Sequence, residues 1–223
     1  SAMRRRSCGG RGLERAKADG VGLLITVDCG ISSQEEVDYS RQLGIDIVIT
    51  DHHEPVSALP QAAAVVDPKI ESASLTELAG VGVAWKLAQA ISMKRLGLTP
   101  IQYATAKRGL LPLVLFGSVA DRVPLRDENR IFAKFGLLEF SRSSRAGLKV
   151  LRESSKFDFE AELGVDELMR AIVPLLSGGE REDGRERALK LLLSQDQEEA
   201  EETASSLAQA SEAWLARARE AYA

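Results

Sequence analysis

Residues 21–51 read VGLLITVDCGISSQEEVDYSRQLGIDIVITD, and this stretch decides the fold. Two apolar runs, VGLLITV and IDIVIT, each end in an aspartate, Asp28 and Asp51. Runs this short, continuous and rich in Val, Ile and Leu are the pattern of strands buried in a parallel sheet. The segment between them opens on serines, carries acids early and closes at Gly44, which predicts a helix. Strand, helix, strand in this order is a βαβ unit, and its connection makes the strands parallel. Working outward, AAAVVD at 62–67 predicts a third strand ending at Asp67, with a turn at Pro68. GLERAKADG before the first strand predicts a short helix closed by Gly20.

From residue 76 the chain reads as helical. LAGVGVAWKLAQAISMKRLG has a glycine-rich start and then helical spacing, and LLPLVLFGSVADRVPL is a buried helix that stops at Asp121-Arg122. NRIFAKFGLLEFSRS, AGLKVLRESS and VDELMRAIVPLLS predict successive amphipathic helices. The remainder predicts one helix, a break near Ser194, and a long helix with a wide polar face. The fold class is α/β, a parallel sheet with flanking helices followed by a helical extension that ends in a long linker helix. Residues 4–125 form the sheet-bearing domain, and 126–223 its helical part with the linker helix.

Composition narrows the function. With 223 residues, 44% of them hydrophobic, the chain has the mass for a real core. No apolar run is long enough to span a bilayer, and none marks an export signal. Two cysteines, Cys8 and Cys29, make no disulfide framework, so cytoplasmic thiols are the default and no membrane role is expected. The net charge of −4 argues against a surface that coats nucleic acid indiscriminately but leaves room for a local basic track. The basic start, RRRSCGGRGLER, is the place for a phosphate-rich ligand, or else a solvated arm.

The only two histidines of the chain stand side by side in TDHHEP, at the end of the second strand. In open parallel sheets, ligands bind at the carboxyl ends of strands. Neighbouring strands lie ~5 Å apart, so Asp28 and the Asp51-His52-His53 cluster can face one cavity. Adjacent strand residues point to opposite sides, so both imidazoles contribute only where the chain turns. A mixed carboxylate and imidazole set suits Mn²⁺, Mg²⁺ or Zn²⁺, and carboxylates able to bridge two ions equip two-metal phosphoester hydrolysis. Each acid also has a plainer reading. Asp28 alone could cap a helix, Asp121 could pair with Arg122, and Asp67 before Pro68 reads as a turn residue.

ITVDCGISS, VITDHHEP, LAGVGVAWKL and GSVADRVPL occur in that order. Together they resemble the successive motifs of the DHH phosphoesterase superfamily, and within it the RecJ-like exonucleases of single-stranded DNA. The resemblance runs through most of the chain. It implies Asp28 as the carboxylate bridging two ions, with His52 and Asp121 as direct ligands. Asp51 and His53 would be the catalytic residues beside the ions or against the scissile phosphate. Arg6 and Arg181 would bind substrate. The cofactor implied is Mn²⁺ or Mg²⁺, and the activity is 5′→3′ hydrolysis of single-stranded DNA in repair and recombination. A single-strand-binding protein or a helicase is the further partner expected. Two alternatives stay open: a phosphatase of oligonucleotides or nucleotides, and a DHH-fold replication scaffold without catalysis.

The chain also departs from the family's pattern. Cys29 stands where RecJ-like proteins have asparagine. PLLSGGERED falls where they have Asn-Ala-Ala-Gly-Arg, with Ser177 for the asparagine and Glu180 for the glycine. No Asp-x-Asp pair precedes Asp28, and no C-terminal nucleic-acid-binding domain follows. The expectation is therefore a middle piece with about half of the metal site, weak metal binding and little nuclease activity alone. A sheet edge left open would invite pairing with another chain.

Overall fold

The computed structural model of the chain describes residues 10–70, 77–154, 164–177 and 182–221. The chain divides into two units, Ser1–Pro100 and Ile101–Ala223. The first contains helix α1 (Gly10–Ala18), strand β1 (Leu23–Val27), helix α2 (Gln34–Gln42), strands β2 (Asp46–Thr50) and β3 (Ala64–Val66), and helix α3 (Gly80–Leu96). The strands form one parallel sheet in the order β1-β2-β3, as the βαβ reading requires.

Register places the strand ends. Val27 pairs with Thr50, and Thr50 with Val66. The next residue of each strand is an aspartate, so Asp28, Asp51 and Asp67 form a row across the carboxyl edge. Backbone bonds hold that row: Asp28 N–H donates to the Thr50 carbonyl at 3.0 Å and Asp51 N–H to the Val66 carbonyl at 3.1 Å.

One sheet face is packed. Leu24, Ile47, Ile49 and Val65 meet Leu13 of α1 and Val37, Tyr39 and Leu43 of the α2 region. On the opposite face Leu23, Ile25, Val27 and Val66 are 41% to 53% exposed. The sequence predicts helices on the faces of the sheet: α1 and α2 pack one face, and α3 contacts both β1 and β2. An apolar run records that both sides of a strand can be buried, not what buries them. The glycines Gly20 and Gly44 close their helices as expected, and Gly97 closes α3 in the same way, all three with φ near +70°.

The second unit is helical, as expected. It contains α4 (Pro100–Ala106, opening at the boundary), a 3₁₀ turn (Arg108–Leu110), α5 (Leu111–Ala120), α6 (Asp127–Arg142) and α7 (Ala146–Ser154). Beyond these come α8 (Val165–Glu167), a π turn (Leu168–Ile172), α9 (Val173–Ser177), α10 (Glu182–Leu193) and α11 (Gln197–Ala221). Its core joins Leu115, Phe140, Leu148, Leu151, Leu191 and Leu207. The Phe116 and Phe140 rings meet edge to face at 5.0 Å. Pro174 explains the π turn: it has no N–H for the carbonyl of Arg170, and the wider turn relieves the clash there. The break near Ser194 is built by capping. Asp196 Oδ1 accepts the Glu199 N–H at 2.8 Å, and Ser194 Oγ bonds Glu199 Oε2 at 2.8 Å. No described helix is long and apolar enough to cross a membrane.

Candidate metal centre

The turn after β2 is organised by the Asp51 carboxylate, which is 1% exposed. Its Oδ2 accepts the N–H of Ile31, twenty residues upstream, at 2.9 Å. Its Oδ1 accepts the N–H of His52 at 2.8 Å and of His53 at 3.3 Å, and lies 2.6 Å from His53 Nδ1. Burial pushes the Asp51 pKa up. The donors from Ile31, the His53 ring, and the His52 and His53 amides together outweigh it and hold the acid below its usual range. The charged form is thus favoured at a carboxylate that is itself nearly closed to water. A carboxylate on Nδ1 also fixes the His53 tautomer, leaving Nε2 free of that proton.

Asp28 follows β1 with φ +64°, a left-handed conformation uncommon for a residue other than glycine, asparagine or aspartate. Behind it the backbone turns tightly: Gly30 has φ +115°, and Thr26 Oγ1 donates to the Cys29 carbonyl at 2.6 Å. Thr50 Oγ1 donates to the Thr26 carbonyl at 2.6 Å, tying β2 to β1 just below. Asp28 Oδ1 then lies 3.0 Å from His52 Nε2, and the two histidine rings are 4.5 Å apart, tilted by 52°. One ligand atom each from Asp28, His52 and His53 falls within a span of 4.8 Å. The site is graded in exposure: the His52 side chain is 13% exposed, Asp28 49% and His53 59%. A closed inner imidazole and an open outer edge let an ion bind while a large substrate reaches it.

Two features of the site were not legible as such. Gly80, the first residue of α3, lies against the Asp28 carboxylate so closely that a Cβ there would overlap it. The glycine-rich stretch marked a helix start; that it admits a carboxylate needed the fold. Asp67 serves the turn that its place before Pro68 predicts, its Oδ1 accepting the Lys69 N–H at 2.8 Å. Yet Asp67 is only 5% exposed and its Oδ2 is buried without a hydrogen-bond partner among the described residues. Burial raises its pKa, the Lys69 N–H opposes this, and Asp51 nearby raises it further.

The structure thus brings Asp28, Asp51, His52 and His53 together at the strand ends. Asp121 is an exposed residue that ends α5 in the second unit, where its N–H donates to the Gly117 carbonyl at 2.9 Å. Arg122 after it has φ +56° and closes the helix with Val123, their amides donating to Val119 and Ser118. Arg6 and Arg181 lie outside the described residues.

A sheet that gathers carboxylates and imidazoles in this way belongs to a known class. The profile described as DHH family, N-terminal domain, matches residues 3–117, and the chain belongs to the DHH family. The single-stranded-DNA-specific exonuclease RecJ of Bacillus subtilis is 41% identical over 195 residues, covering 86% of this chain and 23% of that protein. Among solved structures, RecJ from Thermus thermophilus in complex with Mn²⁺ superposes with a TM-score of 0.76 at 31% identity, covering 89% of this chain and 29% of that one. RecJ from the same organism in complex with Mg²⁺ gives 0.64 at 29% identity, covering 85% and 25%. The chain therefore spans about a quarter of the length of these relatives.

Proposed function

We propose that this chain is the metal-binding part of a RecJ-like exonuclease that hydrolyses single-stranded DNA from the 5′ end. The observation that carries the reading is the convergence of Asp28, His52 and His53 within 4.8 Å at the strand ends. The donor set fits the group: the Asp28 carboxylate and the His52 imidazole, with the His53 ring beside them, are a mixed set that suits Mn²⁺ or Mg²⁺, the ions held by the related RecJ structures. Asp28 and His52 are the ligands, and Asp121 is a further ligand carried over from the Ala-Asp-Arg-Val-Pro-Leu motif. Bound divalent ions supply Lewis-acid polarisation of the phosphodiester and stabilise the leaving oxygen. Asp51 orients His53 through Nδ1, so that Nε2 faces the phosphate or a proton in transit. Arg6 and Arg181 grip the strand. The partner is single-stranded DNA, with a single-strand-binding protein or helicase as a further one, and the compartment is the cytoplasm.

The test is titration with MnCl₂ of the chain, of His52→Ala and of Asp28→Asn. Each substitution should weaken affinity at least about tenfold, the loss of one ligand-scale interaction of about 1.4 kcal/mol. Any release of nucleotides from 5′-labelled single-stranded DNA should require Mn²⁺ and vanish in His52→Ala. Unchanged Mn²⁺ affinity in both variants would overturn the metal centre.

A further inference from the structure

The third aspartate of the edge row has no part in the reading above. Its turn role uses one oxygen only: Oδ1 takes the Lys69 N–H, a bond that asparagine would make equally well. The other oxygen is buried with no partner among the described residues, in a side chain 5% exposed. Such a group costs stability, commonly 1–3 kcal/mol for an unsatisfied buried polar atom and more when charged. The sheet register sets Asp67 beside Asp51, one strand spacing of ~4.8 Å away. Asp51 is itself a buried acid, held in place by the main-chain N–H groups of Ile31, His52 and His53. Two neighbouring carboxylates repel each other; a cation in front of them reverses the balance.

We propose that Asp67 is a positioning residue of the metal centre: a buried carboxylate set beside Asp51, whose charge strengthens the hold of His52 and Asp28 on a divalent cation. It touches neither the ion nor the substrate. It acts from outside the set of ligands, by adding negative field at the site. This rests on the metal-centre reading and extends it to the third strand.

The experiment compares the chain with Asp67→Asn, using MnCl₂ titration for affinity and metal-free thermal unfolding for stability. Asparagine keeps the shape and the Lys69 bond while removing the charge. Asp67→Asn should weaken Mn²⁺ affinity by about 10- to 100-fold, the usual effect of losing an outer partner, with a metal-free Tm equal to or above that of the parent. Asp67→Ser, smaller and still able to accept from Lys69, gives the same comparison should the asparagine variant not fold. A Mn²⁺ affinity within about twofold of the parent, far short of the loss expected for an outer partner, would return Asp67 to a turn residue. If the parent itself binds Mn²⁺ no better than His52→Ala, the metal centre fails and this inference with it; if only the Asp67 variants match the parent, this inference alone fails.

Discussion

Gly80→Ala is the most direct perturbation of the site that leaves every ligand in place. A Cβ at Gly80 would lie 2.6 Å from Asp28 Cβ, whereas ordinary carbon contact begins near 3.4 Å, so 3.4 − 2.6 = 0.8 Å has to be found. The neighbour cannot yield easily. Asp28 sits in the left-handed region at φ +64°, and its N–H is bonded to the Thr50 carbonyl at 3.0 Å. The carboxylate must therefore rotate off His52, or α3 must withdraw. Overpacking of this kind costs about 1–3 kcal/mol, and alanine returns up to about 1 kcal/mol of helix propensity. The net loss of stability should be modest, about 0–2 kcal/mol. Function should suffer more, since a displacement near 1 Å at a working group can cost about 10²-fold. The assay is Mn²⁺ titration beside thermal unfolding, with Gly82→Ala as control, because the nearest atoms to a Cβ there belong to the Leu78 side chain, the first at 3.3 Å. A folded Gly80→Ala chain that binds Mn²⁺ as tightly as Gly82→Ala would refute the reasoning.

Asp51 predicts an acid limit. Its folded pKa is lowered, so the stability it confers is present above its ordinary value of 3.8 and lost as pH falls through the depressed value. Asp51→Asn should lower Tm at neutral pH and flatten its dependence between pH 5 and pH 2, as read by a pH series of melts. Gly147→Ala should destabilise the second unit by about 3 kcal/mol or more, because a Cβ there would collide with the Leu191 carbonyl of α10; denaturant unfolding measures it. Arg122→Gly should raise stability by a few tenths to about 1 kcal/mol in the same assay, because glycine adopts the left-handed closing position without strain.

The fold was legible where local chemistry and periodicity agree. Apolar runs ending in aspartate marked all three strands, and Gly44 and Ser194 marked helix ends that the structure keeps. Helix α4 is too short for a strong apolar period, and the one signal for it, Thr99 before Pro100 at a helix start, is a single pair of residues. Ser33 stands at the N-cap of α2 as read, but with ψ 53° its hydroxyl makes no capping bond. The Asp51-His52-His53 triplet was conspicuous as sequence, and a turn that lets both imidazoles serve was expected. That Asp51 is the most enclosed of the three was not legible. Its partners are main-chain groups, one of them twenty residues away, and main-chain donors leave no trace in residue identity. Gly80 and Asp67 escaped for a related reason, since both depend on a close approach between segments far apart in the chain.

The carboxyl edge of the sheet gathers costly features in a few residues: a left-handed Asp28, an Asp67 oxygen with no partner among the described residues, and three acids in one row. An edge built so is a weak margin of an otherwise ordered sheet, and local opening begins at such margins. Amide protons there report on it directly. Those of Asp28 and Asp51, bonded across the strands to Thr50 and Val66, should exchange with solvent faster than those of Thr26 and Ile49 deeper in the same strands. Saturating Mn²⁺ should narrow that gap, since an ion that binds only the closed edge stabilises it by about 2.7 kcal/mol at a hundred times its Kd. The cation would then be a clasp on the sheet as much as a reagent, and starving the protein of metal would loosen the same few bonds that chemistry needs taut.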